Sequence, residues 1–253
     1  MIRRRSIQSV WAREFGVWRT LAPSFVILTF AETLVFLFAV GFGLGTYVEL
    51  EGRSYLWFFA SALPAAVAMN AVSRDALFGT FANLQDRGLY ESMVTAPITP
   101  VEVVVAEILW QSARAALAGS LAVLAALAAR AIEPEPTLLL MPVVFMVLGA
   151  AFAVPAISWA VVNTKFQTLI FYVGFVITPA TFFSGVFFPV EQLPSAARAL
   201  VVASPLYHAA EASRSLTSGI AGTSVLRHVA YLVAVTIGLA PVPAVLLTRK
   251  LTS

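Results

Sequence analysis

Apolar residues run along this chain in long stretches, and the polar positions that interrupt them are few. Six stretches carry almost no charge and reach the length of a bilayer crossing: Ser24–Gly45, Tyr55–Phe78, Val101–Ala129, Leu138–Val162, Phe166–Val186 and Val225–Thr248. A helix needs about 20 mostly apolar residues to cross a hydrocarbon layer ~30 Å thick. The pattern therefore predicts an all-α integral membrane fold with six transmembrane helices, forming a single domain over residues 1–253.

Three stretches between these runs read differently. In residues 1–23, Ile7, Val10, Trp11, Phe15 and Trp18 recur at helical spacing on one face, with Gln8, Ser9, Arg13 and Arg19 around the rest. Two tryptophans flanked by arginines suit an amphipathic helix lying in the membrane interface, although Glu14 falls near the apolar face. Residues 84–97 predict a short helix in which Arg87 and Glu91 form an i, i+4 pair, ended by Pro97 and Pro100. In residues 187–218, Pro189, Pro194 and Pro205 divide an apolar stretch into two helical pieces, Ser195–Ala203 and Leu206–Leu216. Each is too short to cross at about 1.5 Å per residue. Broken helices of this kind are tolerated at membrane depth when they pack on protein, so the segment is expected to be a re-entrant pair on the outer side.

Composition supports the membrane reading and removes several alternatives. The chain is 60% hydrophobic and 11% charged, where a soluble domain carries roughly 25% charged residues. Its mean hydropathy is +0.88. The net charge of +3 is spread through loops and is no nucleic-acid footprint. Arg3, Arg4, Arg5, Arg13, Arg19, Arg87, Lys165, Arg249 and Lys250 fall on one side of the predicted topology. Arg53 and Arg130 fall on the other, beside Glu49, Glu51, Glu133 and Glu135. The positive-inside rule then places both termini in the cytoplasm. The arginines near the start lie too far from the first apolar run for a cleavable signal peptide.

With no cysteine, only His208 and His228, and no HExxH pair, neither a metal site nor an intramembrane enzyme is expected. The lysines, Lys165 and Lys250, follow no glycine-rich loop, so no P-loop is present and no cofactor is expected in this chain.

Polar residues inside the predicted spans are the remaining candidates: Glu32, Asn70, Glu107, Gln111 and Arg114. A central Arg or Glu costs about 2.5–3.5 kcal/mol on insertion scales, so each should face a partner or a watery interior. Glu107, Gln111 and Arg114 share a face, and Gln111 is placed to bridge the other two; a Glu32–Arg114 pair is the alternative. A structural ion pair between helices is one reading of these charges. An ion-coupled secondary transporter using Glu32, Glu107 and Arg114 is another.

Over nearly its whole length the chain resembles the permease subunits of type-2 ABC exporters, and among them those that export lipooligosaccharide nodulation factors, polysaccharides or hydrophobic drugs. The resemblance rests on the amphipathic start, the six spans, "RGLYESMVTAPITPVEVVVAEILW", and "FFSGVFFPVEQLP" followed by "PLYHAAEASR". It implies a permease in the bacterial cytoplasmic (inner) membrane that pairs with a second copy or a related chain. It further implies a separate ATPase subunit that binds ATP and Mg, and an amphiphilic substrate. Residues 84–97 would be the coupling helix, with Asp86, Arg87, Gly88, Glu91, Thr95 and Pro97 as its contacts to the ATPase. Phe182, Phe183, Phe187 and Phe188 would line the outer gate.

Overall fold

Inside a bilayer the backbone must find its hydrogen bonds within the protein, and a helix finds all of them within one segment. The computed structural model describes residues 4–48, 52–85 and 98–252; among these the regular structure is helical and no strand occurs. Asp86, Arg87, Gly88, Glu91, Thr95 and Pro97, the expected coupling contacts, lie outside the described residues.

Helix α1 covers Arg4–Phe36 and continues through a π-helical turn, Leu37–Phe42, to Gly43–Gly45. It passes residue 23 without a break, with Pro23 inside it, so the expected boundary between an interface helix and the first crossing is absent. Membrane helices tolerate such a proline because the carbonyl it leaves free is satisfied in other ways. Helix α2, Tyr55–Gln85, extends past the predicted end at Phe78, burying Phe81 and Leu84. Helix α3, Pro100–Ala128, starts on a capping box: Glu102 N–H donates to Thr99 Oγ1 (3.3 Å) and Thr99 N–H donates to Glu102 Oε2 (3.0 Å). Pro100 at the first turn gives up a donor that has no helical partner there.

A 3₁₀ turn, Pro136–Leu140, leads into α4, Met141–Val162. Helix α5 comprises Phe166–Tyr172, a π turn at Val173–Ile177, and Thr178–Phe182. The fifth predicted crossing, Phe166–Val186, is thus helical only to Phe182. The chain bends from Phe183 and Gly185 takes φ +71°, a conformation that side chains disfavour. At about 1.5 Å per residue the helix spans roughly 25 Å, short of the hydrocarbon layer. Among the described residues, five helical stretches are long and apolar enough to cross a membrane: Ile7–Gly45, Tyr55–Gln85, Pro100–Ala128, Pro136–Val162 and Thr223–Leu251. Two short helices follow α5, α6 at Ser195–Val202 and α7 at Pro205–Thr217; then come α8, Thr223–Leu239, and α9, Pro241–Thr252.

Helices α2, α3 and α4 pack on one another at the centre, α1 runs along α3, and α7 lies against α2, α4 and α8. The central contacts are made by small residues. A Cβ on Gly149 of α4 would come within 2.5 Å of Ala115 Cβ and 3.2 Å of Ser112 Cα on α3. In a membrane, where lipid is as apolar as leucine, helices associate through such close backbone approach.

Side-chain contacts fix which helix ends lie together. At one end, Trp11 Nε1 donates to Ala106 O (3.0 Å), Gln85 Nε2 to Asn163 O (3.5 Å) and Lys250 Nζ to Val161 O (2.7 Å). At the opposite end, Arg53, Glu133, Glu135 and Thr217 surround a shared hollow.

Candidate translocation site

Helices α1, α2 and α5 enclose a cavity of about 250 Å³. Glu32 and Phe36 reach it from α1, Asn70 and Arg74 from α2, and Thr178, Thr181 and Phe182 from α5, with Phe187 closing one side. Asn70 Nδ2 donates to Ala66 O and to Thr181 Oγ1, both at 3.0 Å, and so ties α2 to α5. Thr181 in turn donates to Ile177 O at 2.8 Å, so the chain of donors ends on a backbone carbonyl of α5.

Glu32 and Arg74 are exposed, and among the described residues no ion pair joins either of them. Two exposed, opposite charges beside one cavity are a costly arrangement against lipid. Facing water or a second polar wall, they cost far less.

The expected gate aromatics divide into two pairs. Phe182 and Phe187 line this cavity with ring centroids 5.0 Å apart. Phe187 packs in turn on Phe59 at 5.2 Å, and its carbonyl accepts from Tyr55 Oη at 2.9 Å. Phe183 and Phe188 meet edge-on at 6.1 Å and do not line the cavity.

Glu107, Gln111 and Arg114 lie apart from Glu32, between α3 and α2. Neither expected partner of Arg114 is its partner here: it forms an ion pair with Asp75 of α2, and its guanidinium sits 5.1 Å from the Phe25 ring. Gln111 Nε2 donates to the same carboxylate, Asp75 Oδ2, at 2.6 Å, rather than bridging Glu107 to Arg114. Thr80 Oγ1 donates to Glu107 Oε2 at 3.2 Å. Two helices are therefore joined through polar groups along one seam. The register of α2 against α3 selects Asp75, and charge pattern along the sequence cannot supply that register.

The end of the bundle around α6 and α7 contains contacts that the sequence pattern left unseen. Arg214 pairs with Glu211, donates to Gly185 O and lies 3.9 Å from the Phe58 ring centroid. His208 and His228 face each other through their Nδ1 atoms at 2.9 Å. The repeated aromatic and basic residues of "PLYHAAEASR" were the available signal, but only the fold shows that His228, 20 residues further on, closes the pair.

The family description of the ABC-2 type transporter matches residues 2–217. The chain belongs to the ABC-2 type transporter family. Among curated proteins it is similar to nodulation protein J of Rhizobium meliloti, 31% identical over 212 residues, covering 83% of this chain and 80% of the relative. Nodulation protein J of Sinorhizobium fredii is 32% identical over 225 residues, covering 88% and 86%. That of Rhizobium leguminosarum bv. viciae is 30% identical over 226 residues, with the same coverage of 88% and 86%. As an ABC-2 family member with several helices able to span a bilayer, the chain is a multi-pass membrane permease.

Proposed function

We infer that this permease is the membrane-spanning subunit of an ATP-driven exporter of an amphiphilic substrate, with ATP and Mg bound and hydrolysed by a separate subunit. The observation that carries the reading is the exposed, unpaired Glu32 and Arg74 beside the α1/α2/α5 cavity. Charges left open at that depth call for a watery path, and such a path forms when a second permease copy, or a related chain, faces the same side.

The cavity combines those charges with Phe36, Phe182 and Phe187, which suits cargo that is part polar and part apolar, such as a lipid-linked oligosaccharide, a polysaccharide or a hydrophobic drug. The likeness to the nodulation J proteins favours the lipooligosaccharide end of that range. The end of the bundle bearing Arg13, Arg19, Lys165, Arg249 and Lys250 would face the cytoplasm of a bacterial inner-membrane protein. Residues 84–97 would dock the ATPase there.

The ion-coupled alternative needs Glu32, Glu107 and Arg114 in one relay. Glu32 opens on a different cavity from Glu107 and Arg114, and Arg114 is held by Asp75. That separation favours the ATP-driven reading.

The test is to purify the tagged permease in mild detergent, identify stoichiometric partners, and follow export in cells. A soluble P-loop ATPase should accompany the chain and be lost in the Arg87→Glu, Glu91→Lys double variant. Glu32→Ala should keep the ATPase and lose most export. Recovery of full export without any ATPase would overturn the proposal.

A further inference from the structure

A second cavity, of about 390 Å³, opens between α1, α2 and α3 and shares no lining residue with the first. It lies towards the end of the bundle that holds the start of α1. One wall is an α1 stripe at helical spacing, with Trp18, Leu21, Phe25 and Leu28; the other is the polar seam of Asp75, Gln111 and Arg114. Trp110 stands between them, edge-on to Trp18 with ring centroids 6.4 Å apart.

The hydrogen-bonding state of these residues is unusual for a buried seam. Asp75 takes both the Arg114 ion pair and the Gln111 Nε2 donation. That leaves three buried polar atoms on the lining residues without a hydrogen-bond partner: Gln111 Oε1, Arg114 Nε and Trp18 Nε1. The amide orientation of Gln111 is fixed by its bond to a carboxylate, which can only accept, so Oε1 is the free acceptor. Gln111 itself is only 6% exposed. Buried polar groups are nearly always satisfied, and orphans on facing walls of one cavity mark a place where something else binds.

We propose that this cavity binds the neutral, hydroxyl- or amide-bearing head of a membrane amphiphile. The orphans comprise one acceptor and two donors, so a complementary head must both donate and accept. A hydroxyl or an amide does so. An ammonium head has no acceptor for Trp18 Nε1 or Arg114 Nε, and a phosphate has no donor for Gln111 Oε1 and would meet Asp75 and Glu107. The Asp75–Arg114 pair cancels its own charge, and the Glu14 and Glu107 carboxylates on the same lining add to the repulsion of an anionic head. Leu21 and Leu28 are 60% and 65% exposed, so the α1 stripe continues outward as an apolar track for the chain attached to that head. The volume lies in the range of small-molecule sites, and the mix of aromatic wall and few convergent polar groups is their usual composition. Trp18, edge-on to both Trp110 and Phe25, is the aromatic side chain of α1 that faces the polar seam across the cavity.

The site does not depend on the export reading, because binding is read on the permease alone. The probe is an alkyl glucoside carrying a diazirine in its chain, photolysed with the purified full chain in phospholipid nanodiscs and mapped by mass spectrometry. Saturable labelling on the Trp18–Leu28 stretch of α1 and the facing part of α3 is expected, displaced by octyl glucoside and not by an alkyltrimethylammonium or an alkyl phosphate. Trp18→Phe keeps the ring and removes one donor, so half-saturation should rise about fivefold, the scale of one lost hydrogen bond, with the melting temperature retained. Leu139→Ala, at the opposite end and 83% exposed, should change nothing. Displacement by a diglycosyl diacylglycerol would identify a resident lipid as the occupant, and displacement by an acylated oligosaccharide would identify cargo; either supports the site. Labelling spread evenly over the outward face of α8, unchanged half-saturation in Trp18→Phe, or equal displacement by the charged amphiphiles overturns it.

Discussion

Helices α2 and α8 look alike as strings of letters, since each belongs to a long apolar stretch able to cross a membrane. In the fold they have opposite fates. In the most apolar part of the α2 stretch 72% of the residues are buried, against 11% for the stretch formed by α8 and α9. Hydropathy does not separate them, because a bilayer accepts apolar side chains as readily as a protein interior does. What separates them is how many neighbours surround each helix. Helix α2 is packed on several sides: Phe59, Met69 and Leu77 fill the core, and between them Ala60, Ser61, Ala62, Ala65, Ala66, Ala68, Ser73 and Ala76 let neighbouring backbones come close. Helix α8 turns Leu226, Val233 and Ile237 outward and buries Leu232 alone. The centre of the bundle is held by close packing. Helix α8 lays one side on α4 and α7, with Val225, Val229 and Leu232 against the core, and adds polar contacts to α7 at one end.

The largest effect should come from separating the packed centre. Gly149→Leu would drive a side chain into Ala115 and the α3 backbone at Ser112, where no flexible group can give way. Overpacking of this kind costs about 3 kcal/mol or more when backbone must shift. The expected outcome is a permease that fails to elute as a single species in detergent and melts well below the parent. The equivalent change on α8, Gly238→Leu, adds a side chain where a Cβ would meet nothing within 4 Å and should leave both measurements close to the parent's. If the two variants behaved alike, the contrast between a packed centre and an open periphery would fail.

How much of this was legible beforehand divides along the same line. The apolar runs marked the helices, and the proline-bounded pieces Ser195–Ala203 and Leu206–Leu216 fall within a residue of α6 and α7 at each end. The unbroken α1 was not legible, because a proline followed by a change of face reads as a boundary. Only the structure shows the helix running through Pro23. The partner of Arg114 was not legible either. Glu32, Asp75 and Glu107 are equivalent as charges, and the choice among them depends on how far α2 slides along α3. Of the candidate site residues, Glu32, Asn70, Phe182 and Phe187 meet at one cavity, whereas Gln111 and Arg114 belong to another. Arg74, which completes the first, was not among the candidates, because only the packing of α2 against α1 and α5 turns it to the same cavity as Glu32.

An intermediate effect is expected at the polar seam between α2 and α3. Arg114→Ala leaves the Asp75 carboxylate without its cation, but Asp75 is 37% exposed, so solvent screens much of the penalty. A loss of about 1–2 kcal/mol is expected, below the 3–5 kcal/mol typical of a fully buried pair. Adding Asp75→Asn removes the stranded charge, and the double variant should recover part of the lost thermal stability. Measured as a double-mutant cycle, a coupling near zero would mean that the seam contributes nothing beyond the small-residue packing around it.

The smallest effect concerns how α8 is held. His208 Nε2 lies 2.9 Å from Val202 O and must carry the proton that this carbonyl accepts. In the neutral ring Nδ1 is then the acceptor, so His228 Nδ1–H donates across the 2.9 Å gap from α8 to α7. Tyr231 adds a stack on His208 at 3.7 Å and donates to Ala203 O at 2.7 Å. One added proton can be shared by a change of tautomer, whereas two would set donor against donor. Burial, followed by the neighbouring His228 and Arg227, holds the His208 pKa below its ordinary value, with the Val202 bond opposing. The folded form therefore binds fewer protons than the unfolded chain. Stability is complete above about pH 6.5, the ordinary imidazole value, and declines as pH falls through that value towards the lowered one. Melting measured from about pH 7.5 to about pH 5 should show a modest acid-side loss that flattens in His208→Gln. Because the α8 stretch is far less buried than α2, this loss should also appear as faster amide exchange in α8 with α2 unchanged. Equal exchange in both helices at low pH would mean that the contrast between them does not reach their dynamics.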